Sequence, residues 1–155
     1  MVGSGDERRF LLCRIGSAIG ALALEHVRET LRPLPVVPLA AVPDFVLGCT
    51  ILRGRAVPVV DARRLAGQPA SQPPTRFVSL KLDDRTAALA VDAVLDVRPL
   101  PTALLADVPA LLRAADAELV SRIGTMDSAL LLVLEAARLV PEDAFSAIER
   151  RGGAA

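Results

Sequence analysis

Residues 48–61, GCTILRGRAVPVVD, decide how this chain is read. Two apolar runs, residues 49–52 and 56–60, flank Arg53-Gly54-Arg55, and Gly54 is free to take the positive φ that a tight hairpin turn requires. Pro58 lacks an N–H, so one side of the second strand is expected to face away from ladder pairing. Asp61 is placed to cap a short helical segment, ARRLAG, that Gly67 would stop.

Upstream of this hairpin, the segment PVVPLAAVPDFV carries three prolines and reads as a loop with one helical turn at Pro43-Asp44-Phe45. Before it, FLLCRI (10–15) reads as a buried strand, GSAIG (16–20) as a tight connection and ALALEHV (21–27) as the returning strand. Helix propensity favours residues 21–31 as well, but no N-cap precedes them and Arg32-Pro33-Leu34-Pro35 ends the run, so strand is preferred. Downstream, QPASQPPT reads as a linker. TRFVSLKL, a turn at Asp83-Asp84 and TAALAVDAVLDVRPL then echo the first half as a hairpin and a continuing strand. An irregular stretch over 101–117 leads to strands ELVSRIGT and ALLLVL across a turn at Asp127-Ser128. The last part reads as one or two short helices with Pro141 at a helix N1 position. Roughly five strand segments on each side of the linker, each short, favour small barrels, which solve the exposed-edge problem.

Composition narrows the function classes. The 155 residues hold 52% apolar residues, yet no run reaches the roughly 18 uninterrupted apolar positions of a membrane helix. The N-terminus MVGSGDERRF lacks the apolar core of an export signal, so cytoplasmic residence is expected. Eighteen basic residues against eighteen acidic ones, with no Trp or Tyr and four Phe, disfavour nucleic acid as a partner. Cys13 and Cys49 sit in apolar runs as small hydrophobes. His26 is the lone histidine, so a metal cluster, a cofactor site or a Ser-His-Asp triad has little to build on, and no enzyme activity is expected. Asp83-Asp84 reads as a turn and not as a catalytic carboxylate pair.

The set Pro43-Asp44-Phe45-Val46-Leu47-Gly48, then Leu52-Arg53-Gly54, then Val57-Pro58-Val59-Val60-Asp61-Ala62-Arg63 resembles the CheW-type coupling proteins of bacterial chemosensory arrays. That family shows P-x-F-x-x-G, N-L-R-G and a V/I-P-V/I-V-D-L-R run at this spacing, and FLLCRIG and ALAVDAVLDV also fit it. Ile51 stands in place of the usual Asn, Ala62 in place of Leu, and Ala88 where Gly is common. The resemblance implies an all-β fold with short helices: two pseudo-symmetric five-stranded SH3-like β-barrels packed together. On this reading residues 1–9 are a disordered N-terminus and 10–141 the CheW-like domain. Its first lobe is about 10–67, its linker 68–74 and its second lobe about 75–134, with a C-terminal helix and tail at 141–155.

The resemblance also implies a non-enzymatic scaffold coupling a chemoreceptor's cytoplasmic tip to the regulatory domain of a CheA-type histidine kinase. Its partner-binding residues would be Val27, Glu29, Gly48, Arg53, Gly54 and Val97. Asp61 and Asp92, at the family's V-D positions, would make turn and strand-end hydrogen bonds. Gly48 and Gly54 also read as backbone necessities, Val27 as core, and Glu29 as a solubilising charge or an ion-pair partner for an arginine. An alternative is a small-ligand-binding β-barrel regulator, because paired barrels can leave an apolar cleft.

Overall fold

The computed structural model describes residues 7–68, 72–101, 106–107, 120–126, 129–134 and 136–153. It is built mainly from strands: β1 (Glu7–Ile15), β2 (Ala18–Ala23), β3 (Val27–Leu31), β4 (Val46–Leu52), β5 (Arg55–Asp61), β6 (Arg76–Leu82), β7 (Arg85–Val91), β8 (Ala93–Pro101), β9 (Ala106–Asp107), β10 (Val120–Met126) and β11 (Ala129–Leu134). The short helices are α1 (Ala62–Leu65), α2 (Ala136–Leu139) and α3 (Glu142–Gly153).

Two sheets share these strands in the orders β8-β1-β2-β11-β10-β9 and β3-β6-β7-β5-β4. Setting aside β9, the two orders repeat one pattern. A hairpin (β1-β2 or β6-β7) has an antiparallel outer neighbour (β8 or β3) and a parallel inner one (β11 or β5), which in turn pairs with β10 or β4. The expected echo between halves is therefore present in the pairing. The lobes do not divide at the linker, however. The β1-β2 hairpin sits with β8–β11, and β6-β7 sits with β3–β5.

Each hairpin passes its next strand to the other sheet, and both crossings break a segment that reads as continuous in sequence. Leu24–His26 form a 3-10 turn between β2 and β3, so 21–27 is not one returning strand. Asp92 separates β7 from β8, so 86–100 is two strands in two sheets. Residues 7–9 pair with 99–101 as part of β1 rather than lying in a disordered N-terminus. The expected turn at Asp127-Ser128 and most of the irregular stretch over 101–117 fall outside the described residues.

Alternation along the strands explains why so many read as unbroken apolar runs. Val59 and Val60 are both 0% exposed, one on each face of the same strand. Val60, Val78, Leu80, Leu89 and Val91 join Leu11, Cys13, Ile15, Leu22 and Leu134 in the core between the sheets. Val59, Phe77, Ala88 and Ala90 line the inside of the five-stranded sheet under Leu31, Leu34, Val36 and Leu47. Phe10, Leu12, Ile19, Ala21, Leu100 and Val133 do the same for the six-stranded one.

Around the hairpin that opened the reading, local chemistry follows the sequence. Asp61 accepts a hydrogen bond from the Arg63 N–H at 3.0 Å and caps α1, and Gly67 ends it at φ 70°. Pro58 faces Cys49 in β4 and precedes the residues that β5 pairs with β7. Pro141 lies one residue before α3, where its carbonyl accepts from the Ala144 N–H.

Candidate partner interface

The β4-β5 turn is a two-residue loop, closed by Leu52 opposite Arg55. Arg53 and Gly54 both take positive φ, 50° and 81°, the backbone pattern that matches the twist of a tight hairpin. Glycine adopts this freely, whereas arginine is strained there. The conformation aims the Arg53 guanidinium across the sheet to Glu29, where Nε donates to Oε2 and Nη2 to Oε1, each at 2.8 Å. This two-pronged fit is the strong form of an arginine–carboxylate contact. Glu29 lies on β3 and Arg53 at the end of β4, the two outer strands of this sheet, so the pair clasps the seam where the sheet curls toward closure.

A bulge in β3 sets up the clasp. Register shifts between Val27, opposite Leu80, and Glu29, opposite Ser79. The extra residue, Arg28, sends Val27 to the core between the sheets and Glu29 to the inner, mouth-ward side of its own sheet. The Arg53 hydrogen bond, reinforced by Arg53 and Arg28 charge, lowers the Glu29 carboxyl below its ordinary range, and Glu29 in turn raises Arg53.

The structure thus brings Glu29, Arg53 and Gly54 to one place and puts Val27 two residues earlier on β3, across the bulge, against the core between the sheets. A Cβ on Gly54 would meet nothing within 4 Å among the described residues. Gly48 lies elsewhere on β4: at φ 147° its missing Cβ leaves room for the Val37 backbone, whose carbonyl oxygen would be 2.1 Å from one. Val37 exchanges both backbone hydrogen bonds with Cys49 there, so Gly48 lets the proline-rich segment seal the β4 edge. Val97 belongs to the other sheet, on β8 opposite Leu11, and is half-exposed beside Leu95. Asp96 accepts from the Val97 N–H and Arg98 Nε, which lower its carboxyl.

Three features escaped the sequence reading. Asp92 Oδ2 accepts from both the Gly16 N–H at 2.6 Å and Arg63 Nε at 2.8 Å, tying the β1-β2 turn and α1 to the crossing between sheets. The V-D pattern flagged Asp92 for strand-end bonding, but nothing in sequence links it to Arg63, 29 positions away. Second, Ile51 is 64% exposed and lines an apolar groove of about 500 Å³ with Val37, Ala56 and Ile148 of α3. Third, the buried Ser79 Oγ, beneath the clasp, has no hydrogen-bond partner among the described residues. Among the described residues no helix is long and apolar enough to cross a membrane, and no cluster of His, Cys, Asp or Glu is arranged to hold a metal ion.

This architecture is shared with known proteins. A crystal structure of the scaffolding protein TtCheW from Thermoanaerobacter tengcongensis superimposes with a TM-score of 0.70 at 21% identity, over 83% of this chain and 88% of that one. In sequence, the chain is 33% identical over 92 residues to a chemotaxis protein CheW of Rhizobium meliloti, and 32% identical over 99 residues to protein FrzA of Myxococcus xanthus. These matches take in 58% and 63% of this chain and span 59% and 62% of those relatives, about three fifths of their length. A chemotaxis protein CheW of Klebsiella aerogenes is 24% identical over 96% of this chain and 91% of its own length. The CheW-like domain model matches residues 9–144, and the chain belongs to that family.

Proposed function

We propose that this protein is a non-enzymatic adaptor that couples chemoreceptors to a CheA-type histidine kinase in a bacterial chemosensory array, in the cytoplasm. The observation that carries the reading is the meeting, within a CheW-like domain, of Glu29 on β3 with Arg53 and Gly54 of the accessible β4-β5 turn. A strained arginine held out by a bidentate contact keeps a guanidinium in fixed orientation with most of its surface open to a partner. Val27 supports the strand that carries Glu29, Gly48 fixes the β4 edge, and Val97 with Leu95 offers a second, apolar contact on the other sheet.

The test is co-elution with a kinase regulatory domain and a receptor-tip fragment: a ternary complex is expected, and binding to neither sinks the reading. Arg53→Glu is expected to leave circular dichroism and melting unchanged while weakening the complex; unfolding of that variant would make Arg53 structural instead. The apolar groove beside Ile51 favours a second reading, a small-ligand-binding regulator. A ligand retained in native mass spectrometry, with no binding to kinase or receptor, would select it.

A further inference from the structure

Beneath the Glu29–Arg53 clasp, the five-stranded sheet opens into a polar cavity of about 280 Å³ to which all five of its strands contribute. Its inner-face positions continue the apolar layer of Val59, Phe77 and Ala88 outward, but here the residues turn polar: Glu29, Arg55, Ser79 and Thr86. Barrel mouths are a common place for ligand sites.

Two observations say what this mouth lacks. Ser79 lines the cavity and is 1% exposed, and its hydroxyl has no hydrogen-bond partner among the described residues. A buried hydroxyl without a partner carries an uncompensated desolvation cost. The second observation is charge. Three guanidiniums, Arg28, Arg53 and Arg55, line the cavity against two carboxylates, Glu29 and Asp84. Glu29 is committed to Arg53, and the side chains of Arg28, Arg55 and Asp84 make no hydrogen bond or ion pair among the described residues. One positive charge is left over.

We propose that the mouth of the five-stranded barrel is a carboxylate-binding pocket, in which Arg55 or Arg28 takes the carboxylate and the Ser79 hydroxyl donates to it. A carboxylate accepts on two oxygens and so meets both the surplus guanidinium and the orphaned donor at once. The cavity equals the share of roughly nine liquid waters, room for a carboxylate on a short aliphatic stem. That group can come from a free small organic acid or from an acidic side chain on a bound protein. The proposal does not depend on the adaptor reading, and it is tested on the isolated chain, where coupling plays no part.

The experiment is an amide NMR titration of the full chain with glutarate, and separately with glutamate blocked at both ends as a peptide residue, at ionic strength matched with chloride. Saturable shifts are expected at Arg55, Ser79 and Thr86 with at least one carboxylate, while blocked glutamine produces none. Tighter binding of glutarate assigns a free acid as the source; equal or tighter binding of blocked glutamate assigns a side chain. Ser79→Ala and Arg55→Gln are each expected to weaken the response several-fold with the spectrum otherwise retained. Non-saturating shifts, an equal response to chloride or blocked glutamine, or full binding by both variants would overturn the proposal.

Discussion

Two arginine–carboxylate pairs in this molecule have matching bond lengths and different surroundings. Arg63 Nε meets Asp92 at 2.8 Å with side chains 13% and 15% exposed, whereas Arg53 Nε meets Glu29 at 2.8 Å with side chains 73% and 32% exposed. Water competes for the second pair and hardly reaches the first. The buried pair sits where the chain passes from one sheet to the other, and Asp92 also holds the Gly16 N–H of the opposite sheet. It latches the lobes. The exposed pair spans the open seam of one sheet and presents a guanidinium to solvent. Equal bond length does not imply an equal role; burial and the acceptor's further bonds separate a latch from a contact surface.

The largest effect is expected from Asp92→Ala. It removes the carboxylate that accepts from both Arg63 Nε and the Gly16 N–H in a mostly dry site, and loss of one partner of a buried pair is far costlier than absence of both. Melting should fall by about 10 °C for a chain of this size, followed by circular dichroism. A shift no larger than that of the corresponding clasp variant, Glu29→Ala, would erase the distinction. Arg63→Lys sharpens it further: charge is kept but the planar fork is lost, so a drop of about half that size is expected.

A pH scan separates the regions by direction. Cys13 lies in the core between the sheets, on the strand whose Arg14 carbonyl accepts the Asp92 N–H, and burial pushes its thiol up to about 12. Because the folded value lies above the unfolded one, near 9, its contribution is fully present below pH 9 and is lost as pH rises from there toward 12. One such thiol steepens the alkaline loss by up to about 1.4 kcal/mol per pH unit. Glu29 runs the other way: its carboxyl is lowered by Arg53, so its contribution is present above 4.5 and fades as pH falls through the lowered value. Its exposure makes that acid limb shallow. Chemical denaturation at pH 4, 7 and 10 measures both limbs, and Cys13→Ser should alter only the alkaline one.

Much of the contrast was legible from residues alone, and the rest was not for definable reasons. Gly54 after Arg53, Asp61 before ARRL and Gly67 after it specify a hairpin, a cap and a stop, because each is settled by neighbours in sequence. The crossings at Leu24–His26 and Asp92 were hidden, since the short polar interruptions there, Glu25-His26 and Asp92, do not by themselves end a strand when apolar residues continue on both sides. The motif named Arg53 and the family resemblance named Glu29, each separately; only the barrel's curl makes residues 24 apart into a pair. Ser79 gave no signal, being one small polar residue in RFVSLKL whose burial depends on the strands opposite.

The smallest stability effect and the sharpest test come from Arg53→Gly. If the clasp stabilised the fold, its removal would lower melting. The substitution also relieves arginine's positive φ of 50° and leaves a Gly-Gly turn suited to a two-residue hairpin. An exposed ion pair contributes little in water, so strain relief and ion-pair loss should nearly cancel, with melting within about 2 °C of the parent. Coupling to kinase and receptor, measured by co-elution, should nevertheless fall as far as it does for Arg53→Glu. Native-like melting with lost coupling would mean that the arginine is kept against its backbone preference for what it presents outward. Lowered melting with intact coupling would move the clasp into the same class as the latch.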